Sequence, residues 1–594
     1  MQSRTAQRTI GNITHKHTQT SFPYMNPNPS HDNEAAPGIS AHPQPSALFS
    51  VDEHGVFFQP EAGDPFRICA PLHVKALVRD AASENWGRLL EFRDADGHLH
   101  RWSMPMSLLK GGSDALRGEL LRLGLEIAPS ARAHRLLVEY LMRIQPSDRA
   151  RCVQHTGWYR NAFVLPQDTL GTLDEIVLYQ THHPTPAYTQ AGSLEDWQQH
   201  VACLCIGNSR LILAVSAAFA APLIHLIGAE SGGLHFVGAS SSGKTTALRV
   251  AASVYGPRDT VCHWRATVNG LEAVASLHSD TLLILDELAQ IDPKEAGEVA
   301  YLLANGRGKT RAGPAGKTRL SQDWRLLFLS AGEVSLAQHL RAGGKTIKQG
   351  QSVRLIDVPA DAGAGTGLFE NLHGCASGAA FSQRLQANAC RYYGTAIRAF
   401  LATLTQPSDQ PTAREQIKAL TQAFLDEHLP QDAEGSIHRV CERFALIAAG
   451  GELASRYSVT GWPEQVAYRA AASCWQAWWT QQQNTETGAH AQILTQVRRF
   501  FEQKGERKFA DWEADNPKME HAAGFRRTEN GQCLYYVLPS VFKQEVCAGL
   551  DVRLATQVLL DVGWLHPGPH EEPYRRERLP GWGRCRCYVV RLEP

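Results

Sequence analysis

The sequence predicts a multidomain α/β protein. Between residues 232 and 358, short apolar runs typical of buried strands alternate with helical patterns. That alternation indicates a parallel sheet covered by helices on both faces. The chain has 594 residues, which is too long for one hydrophobic core, so other domains must flank the sheet.

Changes in composition along the chain predict five segments. Residues 1–47 are proline-rich and polar without apolar periodicity, which is typical of disorder. The segments that follow are an α+β accessory domain, the α/β core, a helical lid region and a winged-helix-like domain: 48–190, 191–365, 366–480 and 481–594.

Both flanking domains are predicted from short patterns. In the accessory domain, Asp94–Gly97 has the chemistry of a hairpin turn, which we favour over a metal site formed by Asp94 and Asp96. Near the end of the chain, three helical patterns precede a basic hairpin at 575–590, as in a winged helix. Winged helices bind either DNA or protein, and the sequence leaves both open.

Overall composition excludes few partners. The 59 basic and 59 acidic residues balance, so nucleic-acid binding needs a local patch. Thirteen cysteines lack zinc-site spacing and indicate reduced thiols. No apolar leader is visible at the start, and the apolar run 211–227 fits a buried helix better than a membrane span. We therefore expect a cytoplasmic protein without a membrane partner.

A glycine-rich loop lies between an apolar run, 234–237, and a helical pattern. Such a P-loop cradles phosphate with backbone N–H groups at a helix start, and a chance Gly/Ser loop is the alternative. Lys244 is placed to reach the β- and γ-phosphates, and the Thr245 hydroxyl to ligate Mg²⁺. The predicted ATP-binding residues are Gly238, Ser240, Ser241, Ser242, Gly243, Lys244, Thr245 and Thr246.

Two acids end the next strongly apolar run, Thr281–Glu287. In P-loop ATPases the first acid, here Asp286, holds the Mg²⁺, and the second, here Glu287, orients and deprotonates the attacking water. The alternative is that the pair caps the following helix.

A run of alternating basic residues surrounds a Gly-Pro turn at 306–319. The pattern predicts a two-stranded hairpin that presents basic side chains to DNA phosphates, with a solvated loop as the alternative. The candidate DNA-binding residues are Lys309, Arg311, Lys317 and Arg319.

Together these motifs resemble the AAA+ ATPases, in the branch of the minichromosome-maintenance and superfamily-three helicases. Four segments more closely resemble a bacterial family long known only as a domain of unknown function, which includes helicases of staphylococcal cassette elements: Arg265–Glu272, Leu285–Glu287, Leu329–Glu333 and Gly350–Arg354. The resemblance runs from Phe49 to Pro594.

The resemblance implies further site residues. Ser330, expected where a strand ends beside the acid strand, matches the polar sensor that helps position water. Arg354 matches the arginine that reaches a neighbouring subunit's nucleotide, unless it is only an arginine at a strand end. In the predicted lid helix, either Arg439 or Arg443 would contact the γ-phosphate. We favour Arg439, although an ordinary surface helix fits the pattern equally well.

The resemblance also implies a function. We expect an ATP-driven, hexameric ring helicase or translocase that acts in replication of a mobile element or prophage, with replication proteins as further partners. It would use ATP and Mg²⁺ and bind single- or double-stranded DNA. An ATP-switched assembly or regulatory protein is the alternative, and a small-molecule kinase is a weaker third possibility.

Overall fold

A computed structural model gives the fold of the protein. It describes residues 48–111, 113–180, 187–309, 311–312, 318–319, 322–513, 523–529, 532–569 and 572–592. The tail predicted for residues 1–47 lies outside this range. The chain divides into two compact units, Met1–Trp475 and Gln476–Pro594. The protein is a multidomain α/β protein with mixed sheets and one parallel sheet, as expected, and the finer five-segment division stays a prediction.

The first part of unit one is α+β. Its strands form three sheets, ordered β1-β2-β3, β11-β7-β4-β5-β6 and β10-β9-β8. The strands and helices are β1 Phe49–Asp52, β2 Gly55–Phe58, β3 Phe66–Cys69, β4 Leu72–Asp80, β5 Gly87–Arg93, β6 Leu99–Pro105, α1 Asp114–Arg122, α2 Ala131–Arg143, β7 Asp148–Val153, β8 Gly157–Tyr159, β9 Ala162–Val164, β10 Thr169–Leu170 and β11 Ile176–Tyr179.

The turn between β5 and β6 is the predicted hairpin. The Asp94 carboxylate accepts hydrogen bonds from the backbone N–H groups of Asp96 and His98, at 3.0 and 2.9 Å. An aspartate that binds its own turn in this way stabilises the turn without a metal.

A group of helices follows: α3 Leu194–Trp197, a π-helical stretch Gln198–Ala202, α4 Cys203–Cys205, α5 Ser209–Ala220 and α6 Leu223–Ile227. Every residue of α5 is buried, which explains its mostly apolar sequence. In the described part of the chain, no helix is both long and apolar enough to span a bilayer.

A five-stranded parallel sheet lies at the centre of unit one. Its strands and neighbouring elements are β12 Gly232–Val237, α7 Lys244–Ala252, β13 Val261–His263, α8 Val268–Leu277, β14 Leu282–Asp286, α9 Ala296–Asn305, β15 Arg311–Ala312, β16 Thr318–Arg319, β17 Leu327–Gly332, α10 Leu336–Ala342, α11 Gln349–Ser352 and β18 Leu355–Pro359. The strand order is β13-β14-β17-β12-β18. All carboxyl ends therefore meet at one edge, the carboxyl edge, and all amino ends at the opposite amino edge.

One predicted strand has the wrong bounds. The run at 325–329 predicts a strand that ends in Ser330, whereas the strand there, β17, begins at Leu327 and ends at Gly332. Arg325 instead forms an ion pair with Asp280 at 2.8 Å, and pairing with β12 continues to Gly332. Ser330 consequently lies inside the strand rather than at its end.

Helices complete unit one: α12 Gly378–Ala389, α13 Thr395–Leu404, α14 Asp409–His428 and α15 Gly435–Arg456. The long helix α16, Val466–Lys508, continues the chain into unit two.

Unit two contains the helices and hairpin predicted for it, together with strands that the sequence did not reveal. Its elements after α16 are β19 Phe509–Asp511, β20 Gly524–Glu529, β21 Gln532–Val537, α17 Pro539–Val541, a π-helical stretch Phe542–Val546, α18 Val552–Asp561, β22 Leu565–His566, β23 Arg575–Leu579 and β24 Gly583–Arg591. The sheet order is β19-β20-β21-β24-β22, with β23 paired to β24. The missed β19 and β20 are short, and β20 ends in polar residues.

Candidate functional site

The loop at 238–243 joins β12 to α7 at the carboxyl edge. Gly243 has a φ of +95°, and a Cβ there would lie 2.8 Å from the Phe369 ring. Ser241 also adopts a left-handed backbone, with φ of 61°. Glycine is thus required where the loop turns into the helix, and the turn places α7 with its N-terminus at the loop.

Lys244 folds back over this loop. Its Nζ donates to the Gly238 and Ala239 carbonyl oxygens at 2.8 and 2.6 Å. Burial lowers the pKa of Lys244, while the charges of Glu333, Glu287 and Asp286 act to raise it. The ammonium group therefore lies inside the loop within the field of three carboxylates.

Thr245 and Asp286 meet across the edge of the sheet. The Thr245 hydroxyl donates to Asp286 Oδ2 at 3.2 Å, although β17 lies between β14, which carries Asp286, and β12, which precedes the loop. Hydroxyl and carboxylate oxygens are ligands that suit Mg²⁺. No cluster of three or more His, Cys, Asp and Glu side chains fit for a metal occurs in the described residues. This donor set fits an ion that completes its shell with water and further oxygen ligands.

Glu287 occupies a strained backbone position. Its φ and ψ are 62° and 74°, and its N–H donates to Asp286 Oδ1 at 3.0 Å. Its side chain forms no capping hydrogen bond to the turn that follows, Leu288–Gln290, so helix capping does not explain the acid. Strain at a non-glycine residue is typical of functional sites.

Glu333 is a third acid at this edge, and our sequence reasoning gave it no role. It follows β17 directly, is exposed, and has the largest of the three carboxylate effects on the Lys244 pKa. The available signal was an acid immediately after an apolar run. It was missed because the end of β17 was placed two residues too early.

Ser330 is buried within β17, and its hydroxyl contacts two other buried side chains. Trp264 Nε1 donates to Ser330 Oγ at 2.8 Å, and Ser330 Oγ lies 2.9 Å from His235 Nδ1. His235 Nε2 is 3.0 Å from the Val334 carbonyl oxygen, which can only accept, so Nε2 carries the proton and Ser330 donates to Nδ1. Burial lowers the pKa of His235 to about 4, so the ring is neutral.

This network changes the expectation for Ser330. Its side chain is fully buried, with its hydroxyl held by Trp264 and His235, so the predicted placement at the strand end is wrong. The Ser330 hydroxyl thus connects β17 to His235 of β12 and to Trp264. Thr246 is also turned away from the loop, because its hydroxyl pairs with Ser382 Oγ of α12 at 2.6 Å.

Arg354 and Arg439 both lie at the amino edge. Arg354 immediately precedes β18, and its carbonyl accepts from Gly233 N at 2.8 Å. Arg439, near the start of α15, lines a cavity of about 340 Å³ with Gly350 and Val353. The length of β12 separates this edge from the 238–243 loop by roughly 16 Å. Neither arginine can therefore reach the loop of its own chain.

Arg443 has a structural role. It is buried, and its guanidinium donates to the carbonyl oxygens of Val353 and Ser231 at 3.0 and 3.1 Å. Burial lowers its pKa to about 10. A Cβ at Gly232 would lie 2.1 Å from this guanidinium, which explains the glycine. Arg443 ties together the amino ends of β12 and β18 and is not available to a ligand.

The predicted basic hairpin is present in the backbone. β15 and β16 pair antiparallel, with Arg311 opposite Arg319. Their side chains and the whole of Lys317 lie outside the described structure. Lys309 Nζ forms an ion pair with Glu298 Oε1 on α9 at 2.8 Å, and this contact lowers the pKa of Glu298.

Comparison with known proteins finds a matching family and a similar solved structure. Residues 49–323 match the family described as Domain of unknown function (DUF927). The resemblance to a family of unknown function is thereby confirmed. A solved structure of SCCmec type IV Cch, an active helicase, is similar with a TM-score of 0.64 and 16% identity, over 92% of this chain and 98% of that chain. At this identity the likeness establishes a common fold. No curated protein sequence matches the chain.

Proposed function

We propose that the protein is a DUF927 helicase: a ring-forming AAA+ P-loop ATPase of a mobile element or prophage that moves on DNA. One observation carries the proposal. Lys244, Thr245 and Asp286 converge at the carboxyl edge, while Arg354 and Arg439 lie at the opposite edge. Such a chain has half of a nucleotide site on each edge, and stacking copies in a ring brings the halves together.

The loop and its neighbours supply the chemistry of ATP binding. The 238–243 backbone and the start of α7 would bind the phosphates, and Lys244 would move from the loop carbonyls to the β- and γ-phosphates. Mg²⁺, held by Thr245 and Asp286, would neutralise phosphate charge.

Glu287 would act as the general base. It follows the strand that carries Asp286, and its backbone is turned by the bond from its own N–H to Asp286. From there its carboxylate would orient a water and accept its proton. Arg354 of a neighbouring copy would then offset negative charge that develops on the γ-phosphate, and Arg439 would contact the same group from the lid helix.

The hairpin at 306–319 is the proposed DNA-binding element. Because Lys309 is held by Glu298 in this structure, engaging a DNA phosphate requires it to exchange that carboxylate for the phosphate. Phosphate contacts of this kind are independent of sequence and weaken with salt. The similar fold of an active helicase supports this assignment, and a hexamer is the ring we expect.

The first test is ATP hydrolysis by the full chain with and without single-stranded DNA at two salt concentrations. We expect stimulation by DNA that fades as salt rises. Replacing Glu287 with Gln should leave ATP bound and uncleaved, whereas normal turnover in that variant would remove Glu287 as the base.

A mixing experiment tests the shared site. Lys244→Ala and Arg354→Ala chains should each be inactive alone. Mixed together, they should regain part of the hydrolysis, because some interfaces then join an intact loop to an intact arginine. Absence of any recovery in stable mixed oligomers would contradict a site shared between chains.

A second candidate function is an ATP-switched assembly protein that docks partners without moving on DNA. The Lys309–Glu298 ion pair favours it, because this basic side chain of the hairpin is already paired within the protein. In that case hydrolysis should be equal with and without DNA. Variants at Lys309, Arg311, Lys317 and Arg319 would then leave DNA affinity unchanged.

A further inference from the structure

The hairpin β23–β24 of unit two has an unusual charge pattern. Its two strands carry six arginines, no lysine and a single acid, Glu577. We call the segment Arg575–Arg591 the arginine hairpin. This concentration of one charge makes the arrangement of these side chains informative.

The register sorts the arginines onto one face. Arg576 lies opposite Arg586, and Arg578 lies opposite Arg584. Side chains alternate between faces along a strand. The inner face carries Leu579 and Cys587, which are buried in a small apolar core. The outer face therefore presents four exposed arginines: Arg576, Arg578, Arg584 and Arg586.

This face works against the stability of the hairpin. Like charges directly opposite each other in an antiparallel pair are destabilising. Among the described residues, no carboxylate forms an ion pair with any of the four arginines. Glu577 does not compensate, because it lies opposite Cys585 on the other face. A polyanion laid along the face would remove the repulsion.

The tip of the hairpin adds an aromatic ring. Trp582 is 41% exposed and lies between Gly581 and Gly583, both with left-handed φ near 70°. Its backbone N–H donates to the Leu579 carbonyl at 3.1 Å, which fixes the turn. A large apolar side chain held in solvent by a defined turn is suited to stacking on a ligand.

One arginine is already held in place. The Arg586 guanidinium carbon lies 4.8 Å from the centroid of the Tyr574 ring. Stacking leaves the N–H groups in the guanidinium plane free to bind the two oxygens of a phosphate. Arg576 lies opposite this group, and the Arg578–Arg584 pair lies two residues further along the ladder.

We propose that the arginine hairpin is a second nucleic-acid site, which binds the phosphate backbone through its four outer arginines and stacks Trp582 on an unpaired base. The choice of nucleic acid over another polyanion rests on the proposed function. The site lies outside the ATPase core, so it binds without nucleotide. Arginine with an exposed tryptophan suits single strands, where backbone charge and base faces are both accessible.

The experiment measures binding of a labelled single-stranded oligonucleotide to the full chain, without ATP, over a range of salt concentrations. The test variant replaces Arg576, Arg578, Arg584 and Arg586 with Gln. A matched control removes four exposed basic charges elsewhere: Lys418, Arg499, Arg507 and Lys543 to Gln. The test variant should bind at least tenfold more weakly, and its salt slope should fall by about 3, as expected for four lost contacts.

Two further readouts separate binding from folding. Because the substitutions remove like-charge pairs, the melting temperature of the test variant should equal or exceed that of the wild type. Trp582→Ala should weaken binding of the single strand by about tenfold and of a duplex by less, while Trp582→Phe should restore most of the affinity.

Three outcomes would overturn the proposal. The test variant could bind with wild-type affinity and salt slope, or the matched control could lose as much affinity as the test variant. The test variant could also lose binding to vesicles with anionic lipid while oligonucleotide binding is unchanged, which would indicate a membrane surface. If the wild type hydrolyses ATP and binds DNA but the test variant is unaffected, only the arginine hairpin fails. If the wild type does neither, the proposed motor fails as well.

Discussion

The guanidinium carbon of Arg354 lies 4.2 Å from the centroid of the Tyr301 ring. Arg354 Nη1 also donates to the Gly350 carbonyl at 2.7 Å, so the side chain is held from two sides. Tyr301 belongs to α9, which leads directly into the hairpin at 306–319. One turn earlier, a Cβ at Gly297 would lie 2.5 Å from Gln351 Nε2, so α9 and α11 pack closely. The Arg354 side chain thus packs on the helix that leads into the proposed DNA-binding hairpin.

We predict that Tyr301 is a positioning residue for Arg354. Tyr301→Ala should lower ATP turnover between about tenfold and a hundredfold, because the guanidinium loses its aromatic support. Tyr301→Phe should keep near-normal turnover. Mixing Tyr301→Ala chains with Lys244→Ala chains should restore part of the activity, as we expect for Arg354→Ala. A defect in Tyr301→Ala that mixing cannot rescue would show that the residue supports its own loop or fold instead.

The contact between Thr245 and Asp286 gives a prediction about Mg²⁺. Thr245→Ala and Asp286→Asn should each reduce the Mg²⁺-dependent part of nucleotide affinity by at least about tenfold, since each removes one oxygen from the ion. Thr245→Ser keeps the hydroxyl and should retain most of it. Titrating a fluorescent ATP analogue with and without Mg²⁺ measures the difference. Equal losses without Mg²⁺ would mean that the pair only stabilises the loop.

Local features of the site were predictable from sequence. The glycine-rich loop and the acid-ended strand are continuous segments whose chemistry is fixed by neighbours in the chain. The 3.2 Å meeting of Thr245 and Asp286, which are 41 residues apart, depends on the order of the strands and could only be inferred by resemblance. Glu333 was missed because apolar runs define strand ends only to within a few residues.

The roles of the arginines were harder to predict from sequence. Arg439 and Arg443 lie on one helix a turn apart, so sequence spacing alone could not separate them. Tertiary packing does, because it buries Arg443 against backbone carbonyls and leaves Arg439 beside a cavity. Similarly, the alternation of charges showed a basic hairpin at 575–590 but not that its register pairs arginine with arginine.

Replacing Arg443 should therefore lower stability, whereas replacing Arg439 should lower activity. Arg443→Met leaves buried carbonyl groups without donors, and we expect it to lower the free energy of unfolding by about 2–5 kcal/mol. Arg439→Met should leave the melting temperature within about 1 °C of wild type, as expected for a change on the surface, and lower ATP turnover instead. Thermal melts and hydrolysis assays on both variants give the comparison. A stable but inactive Arg443→Met protein would reverse the assignment.

Asp357 gives a prediction about pH. It lies on β18 next to His235 of β12, where burial raises its pKa to about 7. The unfolded chain releases this proton near its ordinary pKa of 3.8, so between about pH 4 and 7 the folded state holds a proton that the unfolded state has lost. The contribution of Asp357 to the free energy of unfolding therefore falls as pH rises from about 4 to 7, and it stays low above pH 7.

Asp357→Asn removes the ionisation and keeps an oxygen that can accept from Leu336 N. It should stabilise the protein more at about pH 8 than at about pH 5, by roughly 2–3 kcal/mol. His235 titrates in the opposite sense, since its lowered pKa costs stability as pH falls from about 6.5 to 4. Comparing variant with wild type at each pH cancels that contribution. Equal stabilisation at both pH values would show that Asp357 is ionised in the folded protein, with a partner that holds its charge.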